Sequence, residues 1–360
     1  MSEKLGVGII GCGGIANAKH IPNLLKLENV EITGVCDAYS RERAEAAVSR
    51  FGIKNCTVYD SVDELLNGKN IDVVHVCTPN ESHAPITIAA LNAGKHVMCE
   101  KPMACNVTQA ADMLAAARAS GRKLTICANN RFSPVSWQLK QLCDNNELGD
   151  IYYARAHAVR RRGVPTWGDF LNRDAQGGGP VIDIGIHALD LALWFMNNYE
   201  PKFVLGRTYD RIGKLTSPAN PYGNWEPAKF TVEDFGVAMI VMKNGATIML
   251  EASWALNILD EKTAKVTLCG TLAGADMNDG LTINGEHAGK LYNTKVLTEP
   301  AEIPFYKPNQ VYGPELELRR WADAVLNDRE PVVKPEQMYT ATRIVHAIYE
   351  SDRTGQPVFF

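Results

Sequence analysis

The chain has 360 residues, more than a single hydrophobic core usually serves, so two domains are expected. Hydrophobic residues make up 46% and charged residues 22%, the balance of an ordinary globular protein and not of a disordered or fibrous one. With a formal net charge of -4 and only Arg160, Arg161 and Arg162 clustered as cations, neither a nucleic-acid footprint nor an anionic-membrane surface is expected.

The first residues run straight into an apolar strand without a charged-then-apolar leader. No apolar run reaches the roughly 18 residues of a membrane span, so a cytoplasmic protein is expected. Leu5 to Ile10 reads as a buried parallel strand, and Gly11-Cys-Gly13-Gly14-Ile15-Ala16 then opens a helix that runs to about Leu27. Val30 to Cys36 makes the second strand, closed by Asp37, which lies 24 residues beyond Gly13. Glycines let the backbone turn tightly and approach a pyrophosphate, whose charge is met by the helix amino end. An acid at the tip of the next strand accepts from ribose hydroxyls. Gly11, Gly13, Gly14, Ile15, Ala16 and Asp37 are therefore candidate dinucleotide contacts. A carboxylate repels a 2'-phosphate, which favours NAD, while the nearby Arg41 and Arg43 keep NADP open.

A short strand near Cys56 to Tyr59, a helix from Ser61 to about Asn67 and the strand Ile71 to Cys77 follow. That strand ends in Thr78-Pro79-Asn80-Glu-Ser-His83. After a helix from Ala84 to Ala93, the strand His96 to Cys99 ends in Glu100-Lys101-Pro102. A helix from Val107 to Ser120 leads to the strand Lys123 to Ala128, which ends in Asn129-Asn130-Arg131-Phe132. Ligands of open parallel sheets bind beyond the carboxyl ends of the strands. Thr78, Pro79, Asn80, His83, Glu100 and Lys101 thus become candidates for the cofactor edge, and Asn129 and Arg131 for substrate.

From Ile151 the pattern changes to longer alternating strands, Tyr152 to Val159, Lys202 to Arg211, Thr231 to Met242 and Ala246 to Ala255, with weaker ones at Val266 to Cys269 and Leu281 to Ile283. Such alternation predicts an antiparallel sheet covered on one face. Between the strands, a flexible glycine run, Gly177 to Gly179, ends at Pro180, and the residues beyond are apolar nearly all round, as in a buried helix. Asp183 and His187 sit four apart and so share one face of it. Burying both is costly unless they satisfy each other or serve a site. Trp167, Tyr222, Trp225 and Trp254 are core residues or platforms for a sugar ring, and Arg162 is a substrate contact or a solvated strand end. Helices at about Pro314 to Asn327 and Pro335 to Ser351 finish the chain. The expected division is residues 1–128 and 129–360. Nine cysteines without a C-x-x-C pair read as reduced core thiols, and no Cys/His spacing predicts a metal.

Gly11-x-Gly13-x-x-Ala16, Thr78-Pro79-Asn80-x-x-His83, Glu100-Lys101-Pro102, Asn130-Arg131-Phe132 and Gly178-Gly179-x-x-x-Asp183-x-Gly185-x-His187-x-x-Asp190 stand in an order that covers most of the chain. Together they resemble the motif series of the Gfo/Idh/MocA family of oxidoreductases. The resemblance implies an α/β protein: an N-terminal Rossmann domain plus a C-terminal α+β domain with a large, mostly antiparallel sheet. It also implies a homo-oligomer.

Oxidising a secondary alcohol needs a base, a cation near the developing alkoxide and a rigid nicotinamide cofactor. His187 is the expected base and Asp183 the group that holds a substrate hydroxyl. Lys101 is expected to stabilise oxyanion character or to share the proton relay, and the three side chains are expected to converge. The expected substrate is a small carbohydrate or polyol: a sugar, an inositol, or a glycoside oxidised at its ring C3. Two alternatives are an NAD-dependent glycosidase working through transient oxidation and a non-catalytic dinucleotide-sensing protein.

Overall fold

The computed structural model describes residues 4–217, 219–298 and 311–360. Two compact units emerge, Met1–Asn129 with Val311–Tyr339, and Asn130–Gln310 with Thr340–Phe360. By its contacts, the segment from Val311 to Tyr339 groups with the first unit. Its helix, Gly313–Leu326, places Leu318, Trp321 and Ala322 in the same core as Val7, Leu24 and Leu27. Apolar burial brings this late segment back to the first unit.

The first unit holds six strands: β1 (Leu5–Ile10), β2 (Val30–Cys36), β3 (Thr57–Tyr59), β4 (Val73–Val76), β5 (His96–Cys99) and β6 (Leu124–Ile126). They form one parallel sheet in the order β3-β2-β1-β4-β5-β6. Every residue of β1 and β4 is buried, so these strands are unbroken apolar runs, as strands covered on both faces must be. Strand order reverses at β1, and the crevice beyond the carboxyl ends of β1 and β4 is where such sheets hold dinucleotides.

The second unit carries β7 (Ile151–Val159), β8 (Pro201–Tyr209), β9 (Phe235–Met242), β10 (Thr247–Ser253), β11 (Lys262–Gly270), β12 (Ala273–Asp276), β13 (Leu281–His287), β14 (Lys290–Val296) and β15 (Val358–Phe359). Their order is β14-β13-β12-β11-β7-β10-β9-β8-β15. Only β7 and β10 pair in parallel; the other neighbours are antiparallel. Residues of β9 alternate between buried and half-buried along the strand, the mark of a sheet covered on one face. The helix Ile186–Met196 packs against β7 and β11 on that covered face. By length and composition alone the stretch Arg173–Met196 passes for a membrane span, yet 83% of its most apolar window is buried within the protein.

The glycine run before this helix is not the flexible segment expected from its composition. A Cβ on Gly178 would lie 2.1 Å from the Tyr349 hydroxyl, and one on Gly179 would lie 2.2 Å from the Glu233 carbonyl oxygen. Close packing demands glycine at both places.

Candidate active site

At the end of β1 the chain turns at Gly11 with φ +91°, and a Cβ there would stand 2.7 Å from the Cys77 carbonyl at the end of β4. Only glycine suits that turn. The next two glycines serve a different purpose, since nothing lies within 4 Å of the Cβ position at Gly13 or Gly14. That space stands over the start of a helix whose first turns, Ala16–His20, are wound wide. Ile15 is exposed there and Ala16 is buried. Asn17 pins the loop by donating to the carbonyls of Cys12 at 2.7 Å and Gly13 at 2.8 Å.

Asp37 accepts from Cys12 N at 2.9 Å with one oxygen, and from Tyr39 N at 3.1 Å and Ser40 N at 3.2 Å with the other. It thereby joins the glycine loop to the tip of β2. A carboxylate offers about four acceptor sites, so capacity remains for ribose hydroxyls. Arg41 is paired with Glu45 and Asp60. Just beyond β4, the buried Thr78 hydroxyl has no hydrogen-bond partner among the described residues. An open cradle at a helix start, a carboxylate with acceptor capacity to spare and an orphaned hydroxyl fit a dinucleotide.

Pro79 stands at the N-cap and Asn80 opens the helix Asn80–Asn92, which begins one turn earlier than the sequence pattern implied. His83 lies inside this helix. Its ring nitrogens sit 2.7 Å from the Pro102 carbonyl and 2.9 Å from the Thr78 carbonyl, so the buried ring ties the loops after β4 and β5 together. Burial pushes its pKa down.

Glu100 is buried and held within the protein. One of its oxygens lies 2.9 Å from Lys19 Nζ and 2.9 Å from His20 Nε2, and the other accepts from Lys101 N at 3.2 Å. Lys19 also pairs with Glu317 at 3.0 Å, and His20 Nδ1 meets His75 Nδ1 at 2.9 Å. Burial alone would raise the Glu100 pKa, but the Lys19 charge and the His20 hydrogen bond hold it well below the usual carboxylate range. The metal-ligating atoms of His20, Glu100 and Cys127 all lie within 4.8 Å of one another. The Lys19 ammonium supplies the cation there, and burial pushes the Cys127 thiol well up. Lys101, next in the chain, is half-buried.

In the second unit Asp183 sits in a wide helical turn, Val181–Gly185, that precedes the regular helix. It is buried, and one oxygen accepts from Trp254 Nε1 at 3.0 Å. The amino end of this turn is strapped by Glu233, which accepts from Gly179 N at 3.0 Å, Val181 N at 3.2 Å and the Tyr349 hydroxyl at 2.8 Å. Glu233 and Tyr349 were missed as site residues, and Trp254, expected as core or as a sugar platform, was not expected to hold Asp183. Their partners lie between 52 and 116 residues away, so no local spacing announces them. From Gly178 to Phe195 every residue is buried except His187, which is half-exposed. A single imidazole thus breaks the surface of a core helix.

Burial speaks against one expected substrate contact. Arg131 is fully buried and clamps Asp190 with Nε at 2.8 Å and a terminal nitrogen at 2.6 Å, making it a structural ion pair. Arg162, half-buried, donates to the Ser217 hydroxyl at 3.1 Å, the Arg161 carbonyl at 2.6 Å and Asn257 Oδ1 at 3.0 Å, contacts that brace loops and leave two of its five N–H groups over. Asn129 is half-buried in a short turn that ends the first unit. Of the aromatic candidates, Trp225 and Trp254 are core residues, while Trp167 and Tyr222 are exposed.

A doubly wound parallel sheet with a glycine cradle and a tip acid, joined to an antiparallel unit whose core helix presents one histidine, defines the class of dinucleotide-dependent oxidoreductases. The chain belongs to the Gfo/Idh/MocA family. Models described as "Oxidoreductase family, NAD-binding Rossmann fold" and "Oxidoreductase family, C-terminal alpha/beta domain" match residues 5–127 and 140–360. Among its relatives, a D-glucoside 3-dehydrogenase of Escherichia coli (strain K12) is 36% identical, covering 99% of this chain and 98% of its own. A glucose-6-phosphate 3-dehydrogenase of Bacillus subtilis (strain 168) is 28% identical, covering 98% and 97%. Of the solved structures, an aldose-aldose oxidoreductase from Caulobacter crescentus, complexed with glycerol, superposes with a TM-score of 0.78 at 26% identity over 99% of this chain and 100% of that one. NAD is the cofactor, and the chain is an NAD(P)-dependent dehydrogenase.

Proposed function

We propose that the enzyme oxidises a secondary hydroxyl of a neutral glycoside, at ring C3, by hydride transfer to NAD. The half-exposed His187, alone in a buried helix, carries this reading, because a base must be reachable while its support stays rigid. The full-length likeness to a D-glucoside 3-dehydrogenase supports the substrate class and the position.

Bound NAD supplies the hydride acceptor; the chain supplies everything else. Gly11, Gly13, Gly14 and the turn at Ile15 and Ala16 hold the phosphates, and Asp37 holds the ribose hydroxyls. Thr78, Pro79 and Asn80 line the nicotinamide side. The proton of the reacting hydroxyl passes to an imidazole nitrogen of His187. Asp183, kept in place by Trp254, accepts from a neighbouring hydroxyl and fixes the ring. Lys101 steadies the oxygen as negative charge develops on it. The same reading includes a cytoplasmic location, supported by nine free cysteines. It also includes a homo-oligomer, supported by the cross-strand apolar row Leu205, Met239 and Met249 on the less covered sheet face.

The test is a panel of free sugars, glycosides and inositols assayed for NADH absorbance. Glycosides are expected to lead, with His187→Ala and Lys101→Ala losing the signal. Equal rates in the two variants and the native enzyme would overturn the assignment.

A further inference from the structure

From Asp183 a series of aromatic rings runs out to solvent within the second unit. Trp254, which donates to Asp183, meets Phe170 edge-on at 6.2 Å between centroids, and Phe170 meets Trp167 at 5.7 Å. Trp167 meets Tyr222 at 4.9 Å, nearly perpendicular. The first indole is fully buried, whereas Trp167 is 53% and Tyr222 is 47% exposed. Their supports are braced. Asn220 bonds Val164 in both directions at 3.0 Å, and the Thr166 hydroxyl donates to the Tyr222 carbonyl. Large apolar rings held rigidly in solvent mark a place where something lands.

Beside them lies a cavity of about 490 Å³, within the range of small-molecule sites. Thr166 and Gly168, on either side of Trp167, both line it, with Asp169, Asn172, Asn224 and Thr231. Lys229 is the one cation among the lining residues, and it is paired with Glu226 at 2.9 Å. Asp169 adds a negative charge, so an anionic group such as a phosphate is unsuited. The Thr166 and Thr231 hydroxyls are engaged within the protein, but the Asn224 amide and the Asn172 amide nitrogen keep their capacity, which a purely hydrocarbon or aryl occupant would not use. A pyranose ring answers both features, with an apolar face for an aromatic side chain and equatorial hydroxyls for the amides.

We propose that this cavity and its Trp167–Tyr222 flank form a subsite for the second ring of a neutral disaccharide whose first ring is oxidised. The proposal rests on the glycoside-oxidising function above and narrows its substrate from simple glycosides to disaccharides.

The experiment compares kcat/KM for cellobiose and trehalose with that for methyl β-D-glucoside, in the native enzyme, Trp167→Ala and Asn224→Ala. The native enzyme is expected to favour a disaccharide. Each variant is expected to lose at least about tenfold more on that disaccharide than on the methyl glucoside. Equal losses on both substrates would overturn the subsite. A second readout does not depend on turnover: cellobiose and trehalose are titrated into native, His187→Ala and Trp167→Ala protein while tryptophan fluorescence is followed. Saturable quenching in the first two and its loss in the third supports the subsite even if no sugar reduces NAD, a result that would sink only the oxidation reading. No saturable quenching by either disaccharide, together with no kinetic preference, would overturn the subsite while leaving oxidation of simpler glycosides intact.

Discussion

His187 and Asp190 lie within one turn of the same helix and do opposite work. Removing the imidazole as His187→Ala is expected to lower kcat by about 10²- to 10⁴-fold, the usual worth of a positioned base. NADH affinity, read by fluorescence titration, should be retained. Asp190→Asn should instead act on stability, because it leaves the fully buried Arg131 guanidinium without its counter-charge. Losses of this kind run to about 3–5 kcal/mol. Urea unfolding followed through Trp194, whose ring lies 5.3 Å from the Arg131 guanidinium carbon, would report it, and an unchanged midpoint would refute the structural role. The sequence displays both Asn130-Arg131-Phe132 and Asp190 but not their pairing across 59 residues, which is why Arg131 read as a substrate contact. His187 drew attention because a lone imidazole stands out in an apolar run. Trp254, by contrast, read only as a core residue or a sugar platform, because its bond to Asp183 spans 71 residues.

Among the elements, the wide turn Val181–Gly185 depends on its strap. Glu233 takes two backbone N–H groups at the start of that turn, and Gly179 packs directly beneath the Glu233 carbonyl. Gly179→Ala forces a methyl group to within 2.2 Å of a backbone oxygen that cannot swing away. A cost of about 1–3 kcal/mol is expected, with a fall in kcat because Asp183 moves with the turn. Thermal unfolding and steady-state kinetics on one preparation check both, and a variant with native Tm and kcat would show the strap to be dispensable. Composition made this run look mobile, since glycine is the residue both of floppy loops and of tight contacts. Parallel strands β1 and β4 were easy to read as unbroken apolar runs. The helix Arg41–Phe51 was not, because its only buried residues, Ala44 and Ala47, leave a faint stripe. Strand β14 has an equally weak signature, being exposed along most of its length.

Across the whole molecule, the return of Val311–Tyr339 to the first unit escaped a linear reading, because a chain that leaves a domain and comes back gives no local sign of it. Glu317 on that segment joins Lys19, which in turn holds Glu100, so folding of the first unit is linked to pH. The native Glu100 pKa is depressed, so its contribution is complete above the unfolded value of about 4.3 and is lost as pH falls through the native value. Urea midpoints of the native protein should therefore fall on acidification below about pH 4, and Glu100→Gln should flatten that limb while lowering stability at neutral pH. Parallel acid limbs in the two proteins would remove Glu100 from the account. At the same scale stands the claim that the enzyme oxidises a glycoside and leaves its glycosidic bond intact. Its most direct measurement is the stoichiometry of NADH formed against glycoside consumed, with the product's linkage checked by mass spectrometry. The account predicts one NADH for each glycoside converted to an intact keto-glycoside; cleavage of the linkage without net NADH would contradict it.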